Sequence, residues 1–179
     1  GEAIIATRWA GMQGTALLYD RFYNTLCKTY KESFVREGQK FHQYLCLEEE
    51  GEVGTRCQVS VMHDAGHGGI LGALWELGTR LKMGISVDLE KIPLRTQTIE
   101  VCETLNINPY QLHSGGMMLM VTKEPKQVLD KLEQLDIPAV VIGKVTKEKE
   151  RVCYLQNEKA FIVPTRRDEL SDLYFGNRK

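Results

Sequence analysis

The segment Met62-His63-Asp64-Ala65-Gly66-His67-Gly68-Gly69-Ile70-Leu71-Gly72-Ala73-Leu74-Trp75-Glu76 constrains the fold more than any other part of the chain. An apolar, β-type run at residues 59–62 leads into charged and glycine residues, after which Leu71, Leu74 and Trp75 recur at helical steps. That order predicts strand, glycine turn, helix. A helix start carries N–H groups without intrahelical partners, so the turn suits a phosphate or another anion. A carboxylate and two imidazoles, Asp64, His63 and His67, share the turn and add proton handling and metal binding to the candidate chemistry.

The same reading extends along the chain. A strand is predicted at residues 3–7, then a loop through Gly11 and Gly14. A helical pattern follows from Thr15, a candidate N-cap, to Gly38, with Leu17, Leu18, Phe22, Leu26, Tyr30 and Phe34 at three- and four-residue steps. A second helical stretch at residues 41–50 closes in the acidic run Glu48-Glu49-Glu50-Gly51, read as a solvated face and a terminus. Strands are predicted at 57–62, 85–89, 117–121 and 139–142, the last extending to 145, with a hairpin formed by 152–155 and 160–163. Helices are predicted from the glycine turn to Leu81, at 96–105 with Ile99, Cys102 and Leu105 inward, at 125–135 starting on Pro125, and at 166–175. Strands and helices alternate over most of the chain, which argues for a layered α/β domain. We read residues 1–179 as one such domain.

Composition narrows the function classes. The net charge is −1, which carries no nucleic-acid footprint and no polybasic membrane patch. No apolar run approaches the roughly 20 residues of a membrane span. No signal-peptide pattern opens the chain, and a start at Gly1 reads as a piece of something longer. The five cysteines are odd in number, widely spaced and without C-x-x-C, so most of them read as small buried side chains in a reducing cytoplasm rather than a disulfide framework or zinc site.

Each candidate site residue has a functional and a plain reading. Gly68-Gly69 either cradles a phosphate or allows tight strand–helix packing. Asp64 either holds Mg²⁺, a ribose hydroxyl or a basic group, or caps the helix. His63 and His67 either ligate or relay protons, or are ordinary surface residues. His42 and His113 lie far off in sequence and supply no evident further ligand. Ser114-Gly115-Gly116, ahead of a strand, either lines the same cleft or makes a turn that needs unusual φ. Cys57 and Cys102 lack an evident base and read as buried.

Several segments together resemble one family. His63-Asp64-Ala65-Gly66-His67-Gly68-Gly69-Ile70-Leu71-Gly72-Ala73-Leu74-Trp75-Glu76 is similar to the "HD-x-T-E-GG-x-LGALWE" of the AIR synthase-related proteins, relatives of aminoimidazole ribonucleotide synthetase and of the hydrogenase maturation protein HypE. Val87-Asp88-Leu89-Glu90-Lys91-Ile92-Pro93 resembles its "VDLEKIP". Leu112-His113-Ser114-Gly115-Gly116-Met117-Met118-Leu119-Met120 resembles its "LISSGSLLI", and residues 137–146 its "IPATVIGKVT". Trp9-Ala10-Gly11-Met12-Gln13-Gly14-Thr15-Ala16 looks like the "WxGxxGTA" that opens the family's C-terminal domain.

The resemblance implies an α/β (α+β) domain of three layers, α-β-α, around a mixed β-sheet, like the PurM C-terminal domain. It implies a partner N-terminal domain, absent from this chain, that carries most of the ATP and Mg²⁺ ligands and forms a homodimer. It implies an interdomain cleft in which ATP phosphorylates an acceptor atom, with Asp64, Gly68, Gly69, Ser114, Gly115 and Gly116 on this chain's wall and His63 and His67 nearby. Two positions depart from the pattern: Gly66 and His67 stand where the family has Thr and Glu. The chain also ends Phe175-Gly176-Asn177-Arg178-Lys179 without the terminal cysteine of HypE, so cyanation chemistry is not expected. Two functions follow: one wall of an ATP-dependent enzyme's cleft, or a binding and assembly module that keeps the fold without the activity.

Overall fold

The first strand, β1 (Ala3–Thr7), carries Ile4, Ile5 and Ala6 in succession, all fully buried, as a strand covered on both faces must. In the computed structural model, which describes residues 1–165 and 168–175, it lies inside a seven-stranded sheet. The other strands are β2 (Val61–Asp64), β3 (Gly84–Asp88), β4 (Met118–Thr122), β5 (Ala139–Thr146), β6 (Arg151–Leu155) and β7 (Glu158–Phe161). Their order is β2-β4-β1-β5-β3-β6-β7. All neighbours are antiparallel except β3 and β6, so the sheet is mixed.

Successive side chains of a strand point to opposite faces, and β1 shows where they go. Ile4 and Ala6 join an apolar cluster with Ile70, Leu74 and Leu77 of α5 (Gly69–Leu81). Ile5 joins another with Val53 of α4 (Glu48–Arg56) and Val128 and Leu132 of α7 (Pro125–Glu133). Helices thus cover both faces, which is the α-β-α layering that the family resemblance implies. A third cluster unites α1 (Met12–Arg21), α3 (Glu32–Gln39) and α6 (Thr96–Leu105) through Leu18, Tyr19, Val35, Val101 and Cys102. Leu170 and Leu173 of the terminal helix α8 (Glu169–Phe175) pack against it.

Several boundaries differ from the sequence reading. The first helix starts at Met12, because Gly11 adopts a left-handed φ of 74° as its N-cap. Thr15 therefore sits inside the helix, where its hydroxyl donates to Thr98 Oγ1 (2.9 Å). The long helical stretch ends at Arg21, and a four-residue helix, α2 (Tyr23–Leu26), intervenes before α3. Residues 40–44 form a 3-10 turn, and the acidic run begins α4 instead of ending a helix. Carboxylates there meet the positive end of the helix dipole.

Strand β2 starts at Val61, after a turn in which Gln58 is left-handed (φ 53°). The inner face of α6 is Thr98, Val101 and Cys102, whereas Ile99 is 45% exposed. The β6–β7 turn is only Gln156-Asn157, both left-handed as a tight hairpin requires, so β7 begins at Glu158. Residues 166–167, where the terminal helix was expected to begin, and 176–179 lie outside the described residues.

Candidate functional site

Strand register brings the turns of interest to one end of the sheet. Ala6 lies opposite Leu119, Thr7 opposite Ala139, and Asp64 opposite Met118. The loops that leave β1 and β2 therefore meet the loop that enters β4. Thr7 Oγ1 accepts the Met118 N–H (3.0 Å), and the Ala65 N–H donates to the Met117 carbonyl (2.9 Å).

Ser114 ties the three loops together. Its hydroxyl accepts the Gly11 N–H (2.8 Å) and donates to the Leu112 carbonyl (2.9 Å), and its own N–H donates to the Gly66 carbonyl (3.1 Å). The residue is fully buried, so its polar groups hold the shape of this end from within. Gly116 has a φ of 91°, and a Cβ there would sit 2.5 Å from the Tyr44 carbonyl oxygen. Its glycine is required by both the turn and the close approach.

The glycine turn is strand–turn–helix as expected. Gly68 and Gly69 both adopt left-handed φ, and a Cβ on Gly69 would lie 2.5 Å from the Tyr110 carbonyl oxygen. Tight packing is therefore one reason for the pair. The helix start also has an anion already. The Gly68 N–H donates to Asp168 Oδ2 (2.9 Å), and the other oxygen of Asp168 accepts the Leu170 N–H (2.9 Å). Asp168 is fully buried, and these two charge-assisted bonds compensate it. It couples the start of α5 to the start of α8. Nothing in the local sequence around Asp168 signals this contact.

The polar side chains of the turn divide. Asp64 and His67 are exposed. His63 lies 3.0 Å from Glu76 Oε2 on α5. His67 meets His113, with ring centroids 6.5 Å apart and planes at 76°. Sequence distance had set His113 aside, and the fold returns it. Its Nδ1 accepts the Gly115 N–H (3.3 Å). Burial pushes the His113 imidazole below its ordinary pKa; the Asp168 carboxylate opposes that shift and His67 adds to it.

The loop after β1 holds a pair that the sequence reading missed. Arg8, with φ 55°, places Nε 2.5 Å from Glu50 Oε1 and Nη1 2.9 Å from the Tyr44 carbonyl oxygen. Glu50 is fully buried, which corrects the reading of the acidic run as a solvated face. Placed on its true helix, Glu50 shares the inner face with Val53 and Gly54 at i+3 and i+4, and that spacing was the available signal.

Among the described residues, no group of three or more His, Cys, Asp and Glu is arranged to hold a metal ion. No helix among them is long and apolar enough to cross a membrane.

Residues 1–156 match the family model described as AIR synthase related protein, C-terminal domain. The chain is 28% identical over 159 residues to the phosphoribosylformylglycinamidine synthase subunit PurL of Helicobacter hepaticus, covering 86% of this chain and 20% of that protein. It is 28% identical over 156 residues to a putative hydrogenase expression/formation protein of Methanocaldococcus jannaschii, covering 85% of this chain and 44% of that protein. The chain thus spans less than half the length of these curated relatives. In fold it is similar to HypE of E. coli, a hydrogenase maturation protein, at a TM-score of 0.73 and 17% identity over 94% of this chain and 51% of that one. It is also similar to a HypE solved in complex with ATP, at a TM-score of 0.68 and 18% identity over 95% of this chain and 52% of that one.

Proposed function

The chain belongs to the AIR synthase related proteins through their C-terminal domain, and from that premise we propose that it supplies one wall of an interdomain nucleotide and substrate cleft in a longer, ATP-dependent protein. The observation that carries this reading is the convergence of three loops at one end of the sheet. There the exposed Asp64 and His67 stand beside the Gly68-Gly69 turn and the Ser114-Gly115-Gly116 loop. A structural neighbour solved with ATP supports the choice of nucleotide.

In this reading Asp64 contacts substrate, the glycine backbone of both turns shapes the wall, and Ser114 holds that shape. His63 and His67 border it. In this reading an N-terminal domain of the longer protein carries most of the Mg²⁺ ligands, and Asp64 is the carboxylate this chain would add. A homodimer and a cytoplasmic setting belong to the same proposal; a longer chain that sediments only as a monomer would remove the dimer.

One observation favours a second reading, a binding or assembly module without turnover. At the α5 start the Gly68 N–H is already held by the Asp168 carboxylate, and the Gly69 N–H donates to the Gly66 carbonyl. Gly66 and His67 also replace the hydroxyl and carboxylate of the family pattern.

Titrating ATP, ADP and Mg²⁺ into this chain and into the longer protein separates the two, with thermal stability and phosphate release as readouts. The cleft reading expects nucleotide to stabilise the longer protein and phosphate to be released by it, with no hydrolysis by residues 1–179 alone. Binding without turnover leaves the module. No ligand effect on either chain sinks the nucleotide cleft.

A further inference from the structure

We propose that a cleft between the loop after β1 and the C-terminal turn of α7 binds a small organic cation, an ammonium group carried on an apolar body. The site is separate from the nucleotide cleft. Helix α7 covers the opposite face of the sheet from α5, and none of the residues assigned to the nucleotide wall lines this cleft.

The cleft has a volume of about 620 Å³, which suits a small molecule. Leu129, Ile137 and Pro138 give it an apolar floor, and Trp9 forms one wall. The indole is held from two sides. The edge of Tyr44 meets it with centroids 5.6 Å apart and planes at 69°, and the Arg95 guanidinium lies over it at 4.3 Å. Arg95 does not itself line the cleft, and no other basic side chain does. The charged residues that line it are Glu133 and Asp136, both exposed.

These two acids stand where the helix end does not favour them. Asp136 is left-handed (φ 56°), its N–H donates to the Glu133 carbonyl, and the Ile137 N–H donates to the Leu132 carbonyl (both 3.0 Å). In a helix end of this pattern the left-handed position is ordinarily glycine, sometimes asparagine. Aspartate there takes on backbone strain, and its charge, like that of Glu133, meets the negative end of the helix dipole. Neither carboxylate has a hydrogen-bond or ion-pair partner among the described residues. Lys131, the basic residue of the last turn, donates to Gln134 Oε1 instead (3.2 Å).

Unpaired negative charge beside an apolar, indole-walled cleft complements a positive group on an apolar body. The body buries against Trp9 and the floor, while the ammonium meets the carboxylates through charge-assisted hydrogen bonds and relieves the helix end.

The probe is 2-phenylethylammonium chloride, titrated into the 179-residue chain at constant ionic strength, beside 2-phenylethanol, which has the same body without the charge. The chain has two tryptophans, and their indole N–H resonances separate this cleft from the rest of the molecule. The ammonium is expected to move Trp9, to leave Trp75 under Arg151 unmoved, and to bind about tenfold tighter than the alcohol. Glu133→Gln and Asp136→Asn should each weaken the ammonium about three- to tenfold and leave the alcohol unchanged. Asparagine suits the left-handed position and removes charge from the helix end, so the thermal midpoint of Asp136→Asn should equal or exceed the parent's. An unmoved Trp9, equal binding of ammonium and alcohol, or ammonium affinity unchanged in both variants overturns the site. Nα-acetyl-lysine amide binding more tightly than 2-phenylethylammonium overturns the small ligand and gives the cleft to a basic peptide segment.

Discussion

Glu50 is an acid taken wholly out of water, and the group it holds is Arg8. The Arg8 side chain is itself only 12% exposed, and one oxygen of Glu50 lacks a hydrogen-bond partner. Such a pair adds little net stability over an apolar replacement, but breaking it strands a buried charge. Glu50→Ala should therefore cost about 3–5 kcal/mol in urea unfolding, because Arg8 keeps its charge without its partner. Exposed Glu49→Ala, one residue away, should stay within about 0.5 kcal/mol. Equal effects of the two would mean that the pair holds nothing. Three adjacent glutamates read alike in sequence, and only the phase of α4 separates them.

Helix α5 was legible as an element because its signals are local: apolar residues at helical steps, and a glycine pair at the start. The same glycines show how tertiary contact sets the effect of a substitution. Gly69 has a left-handed φ, and its missing Cβ leaves room for the Tyr110–Gln111 backbone. Gly51 lies inside α4 with no atom within 4 Å of a built Cβ. Gly69→Ala should destabilise by about 1–3 kcal/mol, whereas Gly51→Ala should stabilise by about 0.5–1 kcal/mol. Thermal unfolding of the two variants checks both signs, and a Gly69→Ala protein as stable as the parent would refute the close approach. Helix α1 was misplaced at its start for the opposite reason. Its cap is set by Gly11, whose N–H is held by Ser114 across the domain.

Folding changes the whole molecule's response to pH through His113. In the unfolded chain its imidazole titrates near 6.5; in the fold, burial lowers that value. The unfolded state therefore takes up this proton first as pH falls. Above the unfolded value both states are neutral at this position and its contribution to stability is complete. That contribution declines as pH drops through 6.5 and on through the folded value. Urea unfolding in chloride buffers should show the parent losing more stability on acidification than His113→Asn. Parallel curves would remove His113 as the cause.

Local chemistry in the sequence determined the alternation of strands and helices, the glycine turn and the family pattern, since side-chain period and turn preference act over a few residues. The β2-β4-β1-β5-β3-β6-β7 order is set by pairing between distant segments, and only the tertiary structure supplied it. With that order came the contacts on which the chemistry turns: Asp168 on Gly68, His113 against His67, and Arg8 on Glu50. Each joins residues dozens of positions apart or more, and no local propensity records which of them the packing of a sheet will bring together.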